Sequence, residues 1–244
     1  MRERKALIVD GVSSLDYGIW IDSSDSYASA APDVTKVSVP GRNGDLIINN
    51  NRFHNVSVSY KCFLTKQFME KFIEYKAFLL SDVGYRTIRN NRNITYYRYG
   101  RIDGEIRPED IIWNNDQGTF TVKFDCKPQL FITGPADGEP LVLPSAFLNP
   151  YPFTAKPIIR VSGASGQLTL SNGLGVKTLE WNNPYYPTIP YINVDTEVLV
   201  ASYGTYNLNY CINRADFYLT PGANEFSAPA GTDTQRIFKR FFII

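Results

Sequence analysis

Histidine and cysteine are scarce in this sequence of 244 residues. The single histidine, His54, excludes a site built from several imidazoles. A nucleophilic pair of Cys62 with His54 would need a geometry that nothing in the sequence indicates. The cysteines, Cys62, Cys126 and Cys211, are odd in number, widely spaced and without a CxxC pair. We therefore expect reduced, buried thiols in a protein made in the cytosol rather than a disulfide framework.

Net charge and long apolar runs are also lacking. The formal net charge is +1, which excludes strong long-range attraction to nucleic acid or to an anionic membrane. No apolar run approaches the roughly 18 residues that a spanning helix needs, so we expect no membrane insertion. The sequence contains no P-loop, no GxSxG and no dinucleotide-binding fingerprint. We expect no enzyme, and no catalytic, cofactor or metal site.

Aromatic residues, in contrast, are abundant: they make up 14% of the chain, with 16 Tyr and 15 Phe. Tyr and Phe favour pleated, half-buried surfaces, so the composition predicts a β-rich fold. One amphipathic helix is predicted over residues 65–80, with Thr65 as its cap. The apolar stripe of this helix consists of Phe68, Phe72, Tyr75 and Leu79, widened by Met69 and Ile73.

A short turn-forming stretch, VPGRNGDL at residues 39–46, lies between two apolar-periodic runs. Gly41, Asn43 and Gly44 tolerate positive φ, so the stretch predicts the tip of a β-hairpin. It contains no residue pattern that indicates catalysis.

Residues 86–107 combine arginines with tyrosines. Such a mixture can bind nucleic acid through phosphate contacts and base stacking. It can also form a subunit interface, with Tyr97 and Arg98 as candidate contacts, or a plain exposed face. Nearby acids offset the positive charge, which makes the nucleic-acid hypothesis the weakest of the three. We expect a hairpin of 93–99 with 102–106 that turns at Gly100 or at Asp103-Gly104.

The domain boundary is predicted where the periodicity stops. Gly and Pro cluster at residues 133–140, which are typical of a linker. Residues 141–244 contain short apolar runs separated by turn signals at intervals of roughly 8–12 residues, and no helix pattern. We therefore predict two domains, 1–140 with the single helix and 141–244 as an antiparallel sandwich or jelly roll.

Two chemical functions remain as alternatives for the second domain. Trp181, Tyr185 and Tyr186 form an aromatic group that can stack on sugars, although a core tryptophan beside a Tyr/Pro loop is the preferred interpretation. Paired carboxylates for glycoside hydrolysis can be proposed from Asp195 with Glu197, or from Glu180 with Asp195. Asp195 fits better as a turn residue between two strands.

Four motifs carry a resemblance to a known family. The second half contains NPYPFTAKPII at residues 149–159, YINVD at 191–195 and PGAN at 221–224. With VPGRNGDL, the helix and the Tyr/Arg region in the same order, they resemble the distal tail protein family of siphophages, the phages with long non-contractile tails. The resemblance covers nearly the whole chain. The sequence departs from the family's pattern at Val194, where isoleucine is common in the family, and in the long loop 22–32.

The resemblance implies a structural hub without enzymatic activity at the virion tail tip, assembled in the bacterial host cytoplasm. Family members form a homo-hexameric ring from N-terminal domains with a split β-barrel-like fold. In such a ring-forming domain, Arg42 and Asn43 at the hairpin tip are candidate contacts between subunits. The galectin-like C-terminal sandwiches of the family point outwards. The ring joins the major tail tube protein to the tail-associated fibre or lysin protein, carries receptor-binding proteins in some cases, and lets the genome DNA pass through its lumen without specific binding. No inserted carbohydrate-binding module is evident here, so direct host binding is less expected.

Overall fold

The computed structural model describes residues 4–113, 116–134, 138–229 and 235–244. Within them the chain forms two compact units. Unit 1 ends at Leu130 and also includes Ile244, and unit 2 comprises Phe131–Ile243. Both consist of antiparallel strands, and the described residues contain a single α-helix. The predicted fold class, all-β with one helix, is confirmed.

Unit 1 contains a main sheet, a separate hairpin and the helix. Its elements are β1 (Leu7–Val9), β2 (Val12–Ser13), a 3-10 turn (Ser14–Tyr17), β3 (Trp20–Ser24), β4 (Pro32–Val37), β5 (Leu46–Phe53), β6 (Val56–Leu64), α1 (Phe68–Leu80), β7 (Arg86–Asn90), β8 (Tyr96–Ile102), β9 (Pro108–Ile112) and β10 (Gln117–Cys126). The strand β11 (Leu130–Ile132) follows at the boundary of the two units.

The main sheet of unit 1 has the order β2-β1-β7-β8-β10-β6-β3. Strand β10 is its centre: β6 pairs along its whole length, while β9 and β8 pair with its two ends on the other side. Residues of β6 and β10 alternate between buried and accessible, as the period of two requires. One face of this sheet therefore lies on a core, and the other face is open.

The helix α1 covers the core face of the sheet. Its buried residues Phe68, Phe72, Tyr75 and Leu79 contact Phe120 and the other side chains of the first hydrophobic cluster. The predicted cap was wrong. The helix begins at Phe68, whose N–H donates to the carboxylate of Asp116 at 3.1 Å. Because this cap comes from 48 residues further along the chain, no local sequence signal indicates it.

The hairpin expected to turn at Gly100 or at Asp103-Gly104 was also wrong, because β8 does not pair with the described segment that directly follows it. Gly100 lies inside β8, which pairs with β7 and β10. A Cβ at Gly100 would lie 2.5 Å from the Ile88 side chain and 2.7 Å from the sulfur of Cys126. The glycine is therefore needed for close packing against the core, and the actual turn joins β7 to β8.

Unit 2 is a two-sheet sandwich. Its elements are β12 (Glu139–Leu141), β13 (Ser145–Asn149), β14 (Ile158–Ser162), β15 (Ser165–Asn172), β16 (Gly175–Asn182), β17 (Tyr191–Asp195), β18 (Val200–Tyr203), β19 (Tyr206–Asn207), a 3-10 turn (Asn209–Cys211), β20 (Gly222–Ser227), β21 (Gln235–Phe238) and β22 (Phe242–Ile243). One sheet has the order β12-β21-β14-β17-β18-β19, and the other β13-β20-β15-β16.

The two sheets of unit 2 share the second hydrophobic cluster. Ile159 and Ile192 come from the first sheet, and Leu168 and Leu179 from the second. The outer edge of β16 is covered by its own chain: Asn213 exchanges hydrogen bonds with the backbone of Glu180 and donates from its side chain to Thr178. This cover blocks strand addition at that edge.

Several boundaries of the second half differ from those expected. The unit boundary falls ten residues before the predicted one, and Ile132 donates a backbone hydrogen bond to Phe241 of unit 2. The predicted linker 133–140 lies partly outside the described residues. Residues Asn209–Cys211 form a 3-10 turn, and Leu219 makes an isolated bridge with Ala155. No described helix is long and apolar enough to cross a membrane.

Candidate assembly surface

The base of the hairpin formed by β4 and β5 is fixed by a polar cluster. Asp33 accepts a hydrogen bond from the side chain of Asn50 at 2.9 Å and forms an ion pair with Arg52. The imidazole of His54 lies 3.8 Å from the same carboxylate. The hydrogen bonds from Asn50 and Arg52 lower the pKa of Asp33. Phe53, at the end of β5, packs against the core of unit 1.

Beyond its base the hairpin is uncovered. Strands β4 and β5 pair only with each other among the described residues. Val37, Leu46 and Ile48 share one face of the hairpin, because Val37 pairs with Leu46 and Ile48 follows Leu46 by two residues. Ile47 lies on the other face, where it pairs with Lys36. Leu46, Ile48 and Ile47 are 42%, 47% and 62% exposed. Aliphatic exposure of this kind is typical of an interaction surface rather than of an isolated domain.

The tip of the hairpin has the predicted glycine geometry. Gly41 and Gly44 have φ of 79° and 83°, and the N–H of Arg42 donates to the carbonyl of Val39 at 3.2 Å. Both φ values lie in the left-handed region that favours glycine. The candidate contacts Arg42 and Asn43 are exposed between them.

The outer side of α1 also carries apolar residues. Met69, Ile73 and Leu80 are 38%, 53% and 50% exposed, and Val83 after the helix is 89% exposed. The prediction that Met69 and Ile73 widen the buried stripe is therefore wrong. At 100° per residue the three helical side chains lie within about 40° of each other and roughly 110° from the buried stripe. This angular separation is the sequence signal that could have identified them.

The other two candidate interface residues occupy different environments. Arg98 is 5% exposed, and its guanidinium donates to the carbonyls of Pro128 at 2.9 Å and Ala28 at 2.8 Å. Burial lowers its pKa. Its buried Nε has no partner among the described residues. Arg98 therefore fixes two segments of its own unit, which contradicts its assignment as a subunit contact. Tyr97 packs edge-on against Tyr99, with ring centroids 5.5 Å apart.

The open face of the main sheet is mostly polar, and Arg101 forms an ion pair with Asp125 at 3.1 Å on it. The polar residues of the two central strands include Ser57, Ser59, Lys61, Thr119, Thr121, Lys123 and Asp125. The same face also carries Phe63, whose ring packs against that of Trp20 with centroids 5.4 Å apart. The polar part of this face tolerates contact with water.

Of the three residues of unit 2 that were proposed to contact sugars, one is buried and two are exposed. Trp181 is 3% exposed and belongs to the core cluster, so its ring is inaccessible to a ligand. Tyr185 and Tyr186 are 48% and 46% exposed. The hydroxyls of Tyr210 and Tyr185 are 3.1 Å apart, and this hydrogen bond raises the pKa of Tyr210 to about 12. The exposed aromatic group is therefore formed by tyrosines alone.

The carboxylates considered for glycoside hydrolysis are engaged by an arginine. Arg240 donates to both oxygens of Asp195, at 2.9 and 3.0 Å, and lies 3.7 Å from Glu197. Asp195 also accepts the backbone N–H of Glu197, as a turn residue does. The bidentate arginine occupies both carboxylate oxygens of Asp195, so they are not available to a substrate. This arrangement argues against the hydrolase hypothesis.

The remaining reactive groups are enclosed. Cys62, Cys126 and Cys211 are free and buried. Burial raises the pKa of Cys62 and of Cys126 to about 12, so both remain thiols at neutral pH. The residues that the structure describes contain no group of three or more His, Cys, Asp or Glu side chains suited to a metal ion.

Comparison with solved structures identifies proteins of the same fold. The phage SPP1 protein Dit (gp 19.1), described as a paradigm of the hub adsorption apparatus in phages that infect Gram-positive bacteria, aligns with a TM-score of 0.66 and 16% identity. The alignment covers 97% of this chain and 98% of that chain. A chain of the phage p2 baseplate, in its activated conformation with Sr, aligns with a TM-score of 0.56 and 9% identity, over 98% and 99% of the two chains.

These likenesses extend over both units and establish the shared fold. No protein-family model matches the sequence. No curated protein matches it either.

Proposed function

We propose that this chain is a structural subunit of a siphophage tail-tip hub, of the distal tail protein type. The likeness to SPP1 Dit over 97% of the chain supports this proposal, as do the sequence motifs arranged in the family's order. The observation that carries it is the hairpin of unit 1, whose apolar distal part is uncovered in the single chain. A surface of this kind needs a partner, and a hub is built from such contacts.

The proposed assembly is a closed homo-hexameric ring made by unit 1. In a cyclic ring each copy presents two different surfaces, one to each neighbour. The mostly polar open face of the main sheet suits the lining of a water-filled lumen, through which DNA would pass without specific binding. The ring would connect the tail tube protein to the tail-associated fibre or lysin protein, and unit 2 would be available to receptor-binding proteins at the virion tail tip.

The hub acts by assembly and not by catalysis. Two observations support this: Arg240 engages Asp195 and Glu197, and the buried thiols lack nucleophilic character. Multi-angle light scattering on the purified full chain tests the proposal. We expect a species with six times the 27.6 kDa chain mass. A sample that stays monomeric at high concentration, with and without the tail tube protein, contradicts it.

A second candidate function is carbohydrate binding by unit 2, supported by the exposed tyrosines Tyr185, Tyr186 and Tyr210. Tyrosine rings can stack on sugar faces. A glycan array followed by calorimetry tests this function. Binding that is lost in Tyr185→Ala and retained in the matched variant Tyr206→Ala would support it. Absence of binding to every glycan on the array would remove it.

A further inference from the structure

The distal hairpin has one face that is more apolar than the other. Val37, Leu46 and Ile48 share a face, because Val37 lies opposite Leu46 and Ile48 follows two residues later. The other face presents Ile47 next to Lys36. A two-stranded hairpin is marginally stable by itself in water, so this surface gains stability when something covers it. The first face, Val37–Leu46–Ile48, is called here the hairpin face.

The helix α1 offers an uncovered surface of the same chemistry. Met69, Ile73 and Leu80 lie on its outer side, away from the residues that contact the core. Eleven residues of rise make this stripe about 16 Å long. A surface helix is expected to be polar on this side, so the stripe needs an explanation that the folding of unit 1 does not supply. These three residues are called here the helix stripe.

Charges around the two surfaces are complementary. The tip beside the hairpin face carries Arg42, and Glu70 lies beside the helix stripe. Within the described residues, neither Arg42 nor Glu70 has an ion pair. The basic groups of the helix are already engaged: Lys71 pairs with Glu74, and Lys76 lies over the Phe72 ring, 5.2 Å from its centre. Opposite charges at the rim of an apolar contact favour one orientation.

We propose that the hairpin face of one copy packs on the helix stripe of the next copy. The occupant of each surface is thus a second copy of this chain, which rests on the proposed ring assembly. Both surfaces belong to unit 1 and differ from each other, as a head-to-tail contact that closes into a ring requires. The contact buries aliphatic side chains on both sides, and Arg42 at the hairpin tip then lies near Glu70 at its edge.

Disulfide cross-linking with paired cysteines tests this contact on the full chain. The double variant Ile48→Cys with Ile73→Cys places one thiol on each surface. The native thiols do not compete, because all three are buried and the pKa of Cys62 and of Cys126 is about 12. The matched control is Ile47→Cys with Ile73→Cys, which moves the hairpin thiol to the opposite face.

Oxidation of the Ile48/Ile73 double variant is expected to give a ladder of covalent multimers, formed at least tenfold faster than in the Ile47/Ile73 control. Neither single variant should form the ladder. A ladder that is equally fast in the control, that appears with one cysteine, or that is absent overturns the contact. Light scattering on the same samples separates the two proposals: a hexamer without the ladder removes only this contact, while a monomer without it removes the ring as well.

Discussion

A glycine and a tryptophan in unit 2 provide a strong test of the packing that buries the Trp181 ring in the sandwich core. Gly166 lies opposite Trp181 in the β15–β16 pair, and a Cβ added to it would lie 2.3 Å from Cζ2 of the indole ring. Gly166→Ala therefore forces a buried ring to shift and should cost about 1–3 kcal/mol. Trp181→Ala removes a side chain that is 3% exposed and should cost about 3–5 kcal/mol.

The double variant distinguishes direct packing from two independent effects. Once the ring is absent, the added methyl group meets space, so Gly166→Ala should cost almost nothing in the Trp181→Ala background. The coupling between the two changes should be about 1–3 kcal/mol. Urea unfolding of wild type, both single variants and the double variant measures it. Costs that add within about 0.5 kcal/mol would refute the packing, and so would a Trp181→Ala variant as stable as wild type.

The milder variant Trp181→Phe keeps the cycle measurable if Trp181→Ala fails to fold. Phenylalanine keeps part of the ring volume and removes the indole Nε1–H, which is buried without a partner among the described residues. An unsatisfied buried donor carries a cost of its own, so its removal offsets part of the lost packing. We expect Trp181→Phe to cost less than half of what Trp181→Ala costs.

Three further predictions concern pH and assembly. Because burial raises the pKa of Cys62 and Cys126 to about 12, the unfolded state loses these thiol protons at lower pH than the folded state does. The free energy of unfolding should therefore fall as pH rises from about 9 towards 12. Urea titrations at several pH values measure this fall, and Cys62→Ala should reduce its slope. Burial opposes ionisation of Asp10, but hydrogen bonds from Arg86 and Thr87 outweigh this effect and lower the pKa of Asp10. The free energy of unfolding should therefore fall as pH drops below about 4. An Asp10→Asn variant with the same pH dependence would contradict this. Arg42→Ala should weaken assembly at the hairpin tip, and an unchanged oligomer by light scattering would leave the tip glycines with only their turn-forming role.

Much of the strand pattern could be predicted because its signals are local. The alternation in β6 and β10 gives the buried face directly, since side chains of a strand alternate between faces. Gly41 and Gly44 indicate a tight turn through their own backbone freedom, and the structure confirms both. These elements need no knowledge of distant residues.

Features that depend on residues distant in sequence could not be predicted. The cap of α1 comes from Asp116, and the reason for Gly100 is its contact with Ile88 and Cys126. The arginine content of 86–107 indicates an exposed surface, yet the guanidinium of Arg98 is bound by backbone carbonyls of two separate segments. Composition gives no information on which member of a basic stretch turns inwards.

The candidate site was predicted at its tip and missed along its sides. Arg42 and Asn43 are exposed, as their turn sequence indicates. Ile47 and Ile48 read as ordinary strand residues, because an apolar residue on an uncovered hairpin has the same sequence signal as one on a core. Ile73 was assigned to the buried side of α1, although its angular position separates it from that side.

Negative-stain imaging of the purified full chain, with and without the tail tube protein, tests the central proposal most directly. The hub account predicts rings of sixfold symmetry with a central lumen. Single particles of the size of one 27.6 kDa chain in both samples, at concentrations well above micromolar, would contradict it.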